Sequence, residues 1–165
     1  MQGKLFIMKF VYLFIFVLSL VETHASASDV SNSDGKLISQ YPYGECLLNT
    51  AHHYQVSPDL LIAMIKTESN HVVSAININT SGSEDVGLMQ INSEWFPQLK
   101  KLGYERESLF DPCTNITVGT WILAQEIQRF GYTWNAVGAF NAGPSQKKEL
   151  RRARYAQRVF SNLPQ

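Results

Sequence analysis

Glu68 is the residue whose placement first suggests chemistry. The segment Pro58-Asp-Leu-Leu-Ile-Ala-Met-Ile-Lys-Thr-Glu-Ser69 is apolar almost all round from Leu60 to Ile65, so it reads as a central, buried helix. Glu68 follows Ile65 by three positions, Met64 by four and Leu61 by seven, and therefore shares their face. Burial disfavours the charged form of a carboxyl group. Its pKa rises, and it can hold a proton near neutrality, as a general acid must. The same spacing admits plainer readings, in which the helix end frays into solvent or the glutamate makes a structural hydrogen bond. Two later blocks, Gly87-Leu-Met-Gln-Ile-Asn92 and Phe140-Asn-Ala-Gly-Pro144, each set an amide side chain beside glycine. There backbone can approach a ligand, and Gln or Asn can hydrogen-bond hydroxyl and acetamido groups. Taken singly, such turns are commonly structural. Trp95, Phe96, Trp121, Tyr132 and Trp134 could stack on pyranose faces or simply fill the core.

The elements that must position these residues read as short helices. Ser57-Pro58 is an N-cap with proline at the first helical position and opens Pro58 to about Ser69. Asp111-Pro112 repeats the device and opens a longer helix to about Phe130, with Gly131 as its stop. Cys46 to Tyr54, Glu94 to Leu102, Thr133 to Phe140 and Leu150 to Phe160 complete six helical candidates; Pro97 falls in the first turn of its helix, where it is tolerated. Between Val72 and Val86 the residues read as a loop with a small β excursion, and no internal repeat is visible. The expectation is one mainly α domain.

Composition bounds the function. The 165 residues include 45% hydrophobic and 17% charged side chains, the profile of one soluble globular domain and not of a disordered, collagenous or coiled-coil chain. With 14 basic and 14 acidic residues the formal charge is zero, which gives no field for holding nucleic acid. The balance hides an asymmetry: Lys147, Lys148, Arg151, Arg152, Arg154 and Arg158 stand against Glu149 alone in the last part of the chain. Arg151, Arg154 and Arg158 recur at helical spacing, with Tyr155 and Val159 elsewhere around the helix, so a solvated polar face is the default reading. Attraction to an anionic polymer or a partner protein is the alternative.

Residues 1–27 read as an address. Lys4 and Lys9 precede the apolar run Phe10 to Val21, and Ala25-Ser26-Ala27 fits signal-peptidase cleavage after Ala27; Met8 directly before Lys9 is an alternative start. An uncleaved anchor competes, but twelve residues span only about 18 Å of a hydrocarbon core about 30 Å thick. The exported chain, residues 28–165, would begin with a polar flexible leader over 28–40, and the folded domain would occupy 41–165. Cys46 and Cys113 make an even count in an oxidising compartment, which favours a disulfide over two buried free thiols. Closing that loop would stabilise the fold by about 4 kcal/mol in the chain-entropy model. Neither cysteine has a local partner spaced for zinc.

Three blocks in order, Glu68-Ser69 at a helix end, Gly87 to Asn92, and Ala139-Phe-Asn-Ala-Gly143, resemble the signature of the soluble lytic transglycosylase (SLT) family with its lysozyme-like fold. Asp111-Pro112 with Asn115-Ile116 and Gly119, and Arg154-Tyr155-Ala156, extend the likeness from about Cys46 to Phe160. The small size, the leader, the two cysteines and Gly82-Ser83-Glu84-Asp85 resemble in particular the specialised, invasion-protein-like members that accompany secretion, conjugation or pilus machines. The resemblance implies a monomeric periplasmic enzyme without metal or organic cofactor, cleaving the β-1,4 bond between N-acetylmuramic acid and N-acetylglucosamine in peptidoglycan. It implies Glu68 as the sole catalytic acid and base, with a 1,6-anhydromuramoyl product. Gln90, Asn92, Asn141 and Tyr155 would bind substrate or orient Glu68, and Met89 and Phe140 would line the cleft.

Two features depart from the family pattern or open another route. Phe140 stands where the family usually has tyrosine, so a phenol hydroxyl is missing. Asp85, two residues before Gly87, could activate water and make the enzyme a hydrolytic muramidase, or it could only organise its loop. From another class comes a non-catalytic peptidoglycan-binding assembly factor, whose basic C-terminal face recruits a partner.

Overall fold

The computed structural model describes residues 38–164. The expected signal peptide, residues 1–27, and residues 28–37 of the expected leader lie outside the described residues. Among the described residues six α-helices form: α1 (Gly44–Tyr54), α2 (Pro58–Ser69), α3 (Phe96–Lys101), α4 (Pro112–Phe130), α5 (Trp134–Ala142) and α6 (Glu149–Ser161). Three short strands, β1 (Ile76–Ile78), β2 (Glu84–Val86) and β3 (Ile91–Asn92), pair antiparallel in the order β1-β2-β3, with Asn77 opposite Asp85 and Asp85 opposite Asn92. The β excursion expected within 72–86 is therefore larger than anticipated, because its third strand comes from the Gly87–Asn92 block.

The cap signals operate unevenly. Asp111 Oδ1 accepts the Thr114 N–H at 2.8 Å and opens α4 as its sequence predicts, and Gly131, at φ 71°, stops it. Ser57 makes no side-chain cap; proline at the first helical position starts α2 without it. The helix expected over Glu94 to Leu102 divides into a 3₁₀ turn, Ser93–Trp95, and α3, since the Asn92 side chain caps the turn through Glu94 N–H at 2.9 Å before Pro97 begins the next.

Leu60 to Ile65 of α2 are all buried, as its all-round apolar character requires. The helix ends in two left-handed residues, Asn70 (φ 49°) and His71 (φ 66°). The His71 ring is held by the Tyr43 hydroxyl, 2.7 Å from Nδ1, and by the stacked ring of Tyr41. The C-terminal turn that carries Glu68 is thus clamped from the chain entering α1. Ile38 is 1% exposed within this core, so the folded body starts earlier than Tyr41, inside the stretch expected to be leader. Cys46 and Cys113 form the disulfide, 5.6 Å apart at Cα, and join the starts of α1 and α4. No helix among the described residues is long and apolar enough to cross a membrane.

Candidate active site

Glu68 leaves the last turn of α2 toward α6. Its Oε1 is buried, as is the hydroxyl of Tyr155, and neither has a hydrogen-bond partner of good geometry among the described residues. Burial pushes the Glu68 pKa up to about 7; the neighbouring Tyr155 hydroxyl and the Arg158 charge oppose the rise, and the Asp85 charge adds to it. Tyr155, 1% exposed, has its own pKa raised by burial and by the glutamate's charge. A phenol at that position stays neutral and can only donate to the carboxyl group or accept from it. The Phe140 ring on α5 rests against the Tyr155 ring at 6.4 Å, and the Arg158 guanidinium lies 5.5 Å above the same ring. The sequence pattern places Arg158 on a solvated face; its spacing three residues after Tyr155 is the signal that could have drawn it in.

The sheet carries the second carboxylate. Asp85 Oδ2 accepts from Asn77 Nδ2 at 3.1 Å and Asn79 Nδ2 at 2.9 Å, and its Oδ1 accepts from Asn92 Nδ2 at 2.7 Å. Each of these amides comes from an adjacent strand or its turn, so the carboxylate is the hub of the sheet. Glu84, one residue earlier, is held by Arg106 through two 2.7 Å hydrogen bonds, which keep its carboxyl below the usual range.

The remaining expected residues are distributed unequally. Asn141 is exposed, and its side chain makes no hydrogen bond among the described residues. Gln90, at φ 49°, spends its amide N–H groups on Gly87 O at 2.9 Å and Ala75 O at 3.3 Å, shaping the turn after β2. Asn92 is committed to Asp85, to Ser83 Oγ at 3.2 Å and to the turn it caps. Met89, expected on the cleft wall, is instead fully enclosed, with its side chain against Gly119, where a Cβ would collide with it. Its place is in the core, as packing. Asn115, which sequence reasoning noted only within the resemblance, holds this block down: it accepts from Met89 N–H at 2.8 Å and donates to Val86 O and Leu109 O at 2.9 and 2.8 Å. Gly87, at φ 78°, has no room for a Cβ against the Asn115 amide. Trp95 and Trp121 pack edge to face at 5.6 Å beside the core, whereas Tyr132 and Trp134 are exposed.

The basic cluster also separates. Arg152 is 4% exposed and is not part of the solvated patch: it donates to Asn135 Oδ1 at 2.7 Å and Ser145 O at 2.6 Å, clasping the start of α5 and the loop after it to α6. Arg151, Arg154 and Arg158 are exposed. Among the described residues no group of three or more His, Cys, Asp or Glu could hold a metal ion.

Helices around Glu68, whose Oε1 is buried and whose carboxyl group is protonatable near neutrality, faced by a small antiparallel sheet, define a lysozyme-like, mainly α transglycosylase fold. The transglycosylase SLT domain model matches residues 45–161, and the chain belongs to that family of lytic transglycosylases. It is 41% identical over 121 residues to the invasion protein IagB of Salmonella typhimurium (strain SL1344), covering 73% of this chain and 76% of that one. It is 36% identical over 117 residues to protein IpgF of Shigella flexneri, covering 70% and 77% of the two chains. Among solved structures, an inactive glutamate-to-glutamine mutant of the lytic transglycosylase Slt from Pseudomonas aeruginosa superposes with a TM-score of 0.60 at 22% identity. The match takes in 82% of this chain and 28% of that much longer one.

Proposed function

We propose that the protein cleaves the β-1,4 bond between N-acetylmuramic acid and N-acetylglucosamine in peptidoglycan by an intramolecular route that needs only Glu68. The observation that carries this reading is the contrast between a buried carboxyl group poised near neutrality and an Asp85 engaged by three amides. Protonated Glu68 donates to the leaving glycosidic oxygen. The resulting carboxylate then takes the proton of the muramoyl C6 hydroxyl as that oxygen attacks C1, which closes the 1,6-anhydro ring and returns Glu68 to its acid form. No second carboxylate is required, because the substrate supplies the nucleophile that other glycosidases take from the protein or from activated water. Tyr155 orients Glu68, Asn141 and Phe140 contribute to glycan binding, and Gln90 and Asn92 act by holding the turn and sheet that face the glutamate. The Pseudomonas Slt mutant, inactive with glutamine in place of a glutamate, is in keeping with a glutamate-dependent reaction.

Export to the periplasm follows in this reading from the leader segment, and service to a secretion or conjugation machine is in keeping with the name invasion protein borne by its Salmonella relative. The hydrolytic alternative draws on one observation, that Asp85 lies near enough for its charge to raise the Glu68 pKa. Mass spectrometry of the fragments released from purified peptidoglycan separates the two. Anhydro ends that disappear with Glu68→Gln are expected; reducing ends would assign the reaction to water and Asp85, and no fragments from folded wild type would leave a binding factor.

A further inference from the structure

The last turn of a helix commonly frays, and Glu68 lies in the last turn of α2. Two braces from distant parts of the chain close on either side of it. One comes from the end of α6: Asn162 Nδ2 donates to Thr67 Oγ1 at 2.9 Å, and that hydroxyl donates in turn to Ala63 O at 2.7 Å. The other comes from the segment entering α1, and it grips His71. Asn70 and His71 are two left-handed residues in succession, a backbone that residues other than glycine hold only where their surroundings impose it. Here the hydroxyl of buried Tyr43 lies 2.7 Å from His71 Nδ1, and the Tyr41 ring stacks on the imidazole at 4.7 Å. Burial and then the Lys66 charge push the His71 pKa down, and burial pushes that of Tyr43 up, so a neutral phenol meets a neutral imidazole. The entry segment is itself firmly built. Tyr41 N–H donates to Ile38 O at 3.0 Å, Gly44 N–H donates to Tyr41 O at 2.9 Å, and a Cβ on Gly44 would collide with the Ile38 carbonyl. Three residues past Tyr43, Cys46 ties the start of α1 to α4.

We propose that Tyr43 and His71 are positioning residues for the reaction: they hold the chain beyond α2 so that its last turn stays wound and Glu68 stays shielded from water. The Asn70 N–H closes that turn on Lys66 O at 3.1 Å, so a shift of His71 pulls directly on the turn that carries the glutamate. The groups that act on Glu68 through charge or hydroxyl are Tyr155 and Arg158 on α6 and Asp85 on β2, and none belongs to the entry segment. The brace therefore works on the acid through the backbone and not through a field. Burial is what raises the Glu68 pKa, so loosening the turn has one sign: the carboxyl group gains water and its proton affinity falls toward the ordinary value of 4.5. The effect on rate rests on the reading of Glu68 as the general acid; the effect on the carboxyl group does not.

The test follows the Glu68 carboxyl group and the turnover separately. In protein isotope-labelled at its glutamates, the Glu68 NMR resonance, assigned by its loss in Glu68→Gln, is titrated in wild type, Tyr43→Phe, His71→Asn and Tyr132→Phe. Tyr43→Phe loses only the hydroxyl; His71→Asn removes the ring yet suits the left-handed backbone. Tyr132→Phe is the control, because its hydroxyl accepts from Ser57 N–H at 3.0 Å and so braces the opposite end of the same helix. The first two variants are expected to lower the Glu68 midpoint by about one pH unit, and the third to leave it in place. On peptidoglycan strands the first two should lose about tenfold in kcat, the cost of a misplaced acid, with KM unchanged. The falling limb of their pH profiles should move down with the midpoint. A midpoint that stays put in either variant, one that moves as far in Tyr132→Phe, or a rise in KM without loss of kcat would overturn the proposal. A lowered midpoint in a protein whose wild type cleaves no strands would sink the lytic reading and leave the brace standing.

Discussion

The two carboxylates of the cleft region meet opposite treatment. On the helical side Glu68 is withdrawn from water with a buried oxygen left unpartnered, against a phenol in the same condition. On the sheet side Asp85 accepts three amide hydrogen bonds and joins strands together. Satisfied polar groups stabilise a fold, and unsatisfied ones store a cost that chemistry can use. A carboxyl group near pKa 7 stands at the point where it can give a proton and take one back within a single cycle. Asp85, engaged by three amides, is spent on holding the sheet together.

Removing the charged group from the unsatisfied side should give the largest effect. Glu68→Gln is expected to lower the rate of anhydro-product release by about 10³-fold, the scale of general acid-base catalysis, while stabilising the fold at neutral and alkaline pH. The sign follows from the raised pKa: folding binds the proton more tightly, so ionisation costs stability as pH climbs from the unfolded value of 4.5 to about 7. The cost is complete above that window and absent below it. Chemical denaturation should show the variant ahead by at most about 3 kcal/mol at pH 8 and level with wild type at pH 4. A variant less stable at pH 8 would mean that Glu68 is held by its surroundings as Asp85 is. The activity of wild type should correspondingly fall as pH rises past 7, where Glu68 loses its proton.

Asp85→Asn probes the satisfied side and should act through structure. An amide nitrogen would then face at least one of the donors from Asn77, Asn79 and Asn92, so a loss of about 1–2 kcal/mol in stability is expected. Activity should drop no more than about tenfold, and the products should keep their anhydro ends. The falling limb of the pH profile should move slightly toward lower pH, because neutralising Asp85 removes a charge that raises the Glu68 pKa. Loss of activity as deep as that of Glu68→Gln would erase the distinction between the two carboxylates.

The helical side was far more legible in sequence than the sheet side. Helical spacing put Glu68 on the face of Ile65 and Met64, and proline-marked starts located α2 and α4, because those signals are local and repeat along the chain. The sheet has strands of three, three and two residues, with Ile76 and Ile78 exposed, so no apolar alternation announces it. Its cohesion comes from amides converging on Asp85 across strands, a pattern that exists only once the chain has turned back on itself. Met89 and Arg152 misled for a related reason: a motif methionine reads as a cleft wall and an arginine in a basic run reads as surface, until Gly119 and, for the arginine, Asn135 and Ser145 supply their partners. Ile38 was hidden by polar neighbours that carry no period.

Phe140 sits on the unsatisfied side and offers the finest adjustment of it. Its ring lies 6.4 Å from that of Tyr155, whose hydroxyl has no partner beside Glu68. Phe140→Tyr would restore the hydroxyl usual in the family at a half-buried position, where it could reach the glycan or the acid. One such bond is worth about 0.5–1.5 kcal/mol net, so kcat/KM on peptidoglycan strands should rise by about two- to tenfold. If the new hydroxyl meets the glycan, the pH profile should stay in place. If it instead donates to Glu68, it lowers the pKa of the acid, and the falling limb should shift toward lower pH by the same physics that already sets Tyr155 against burial. An unchanged rate and an unchanged profile would show that the helical side works without a second phenol, with Tyr155 alone to steady the glutamate.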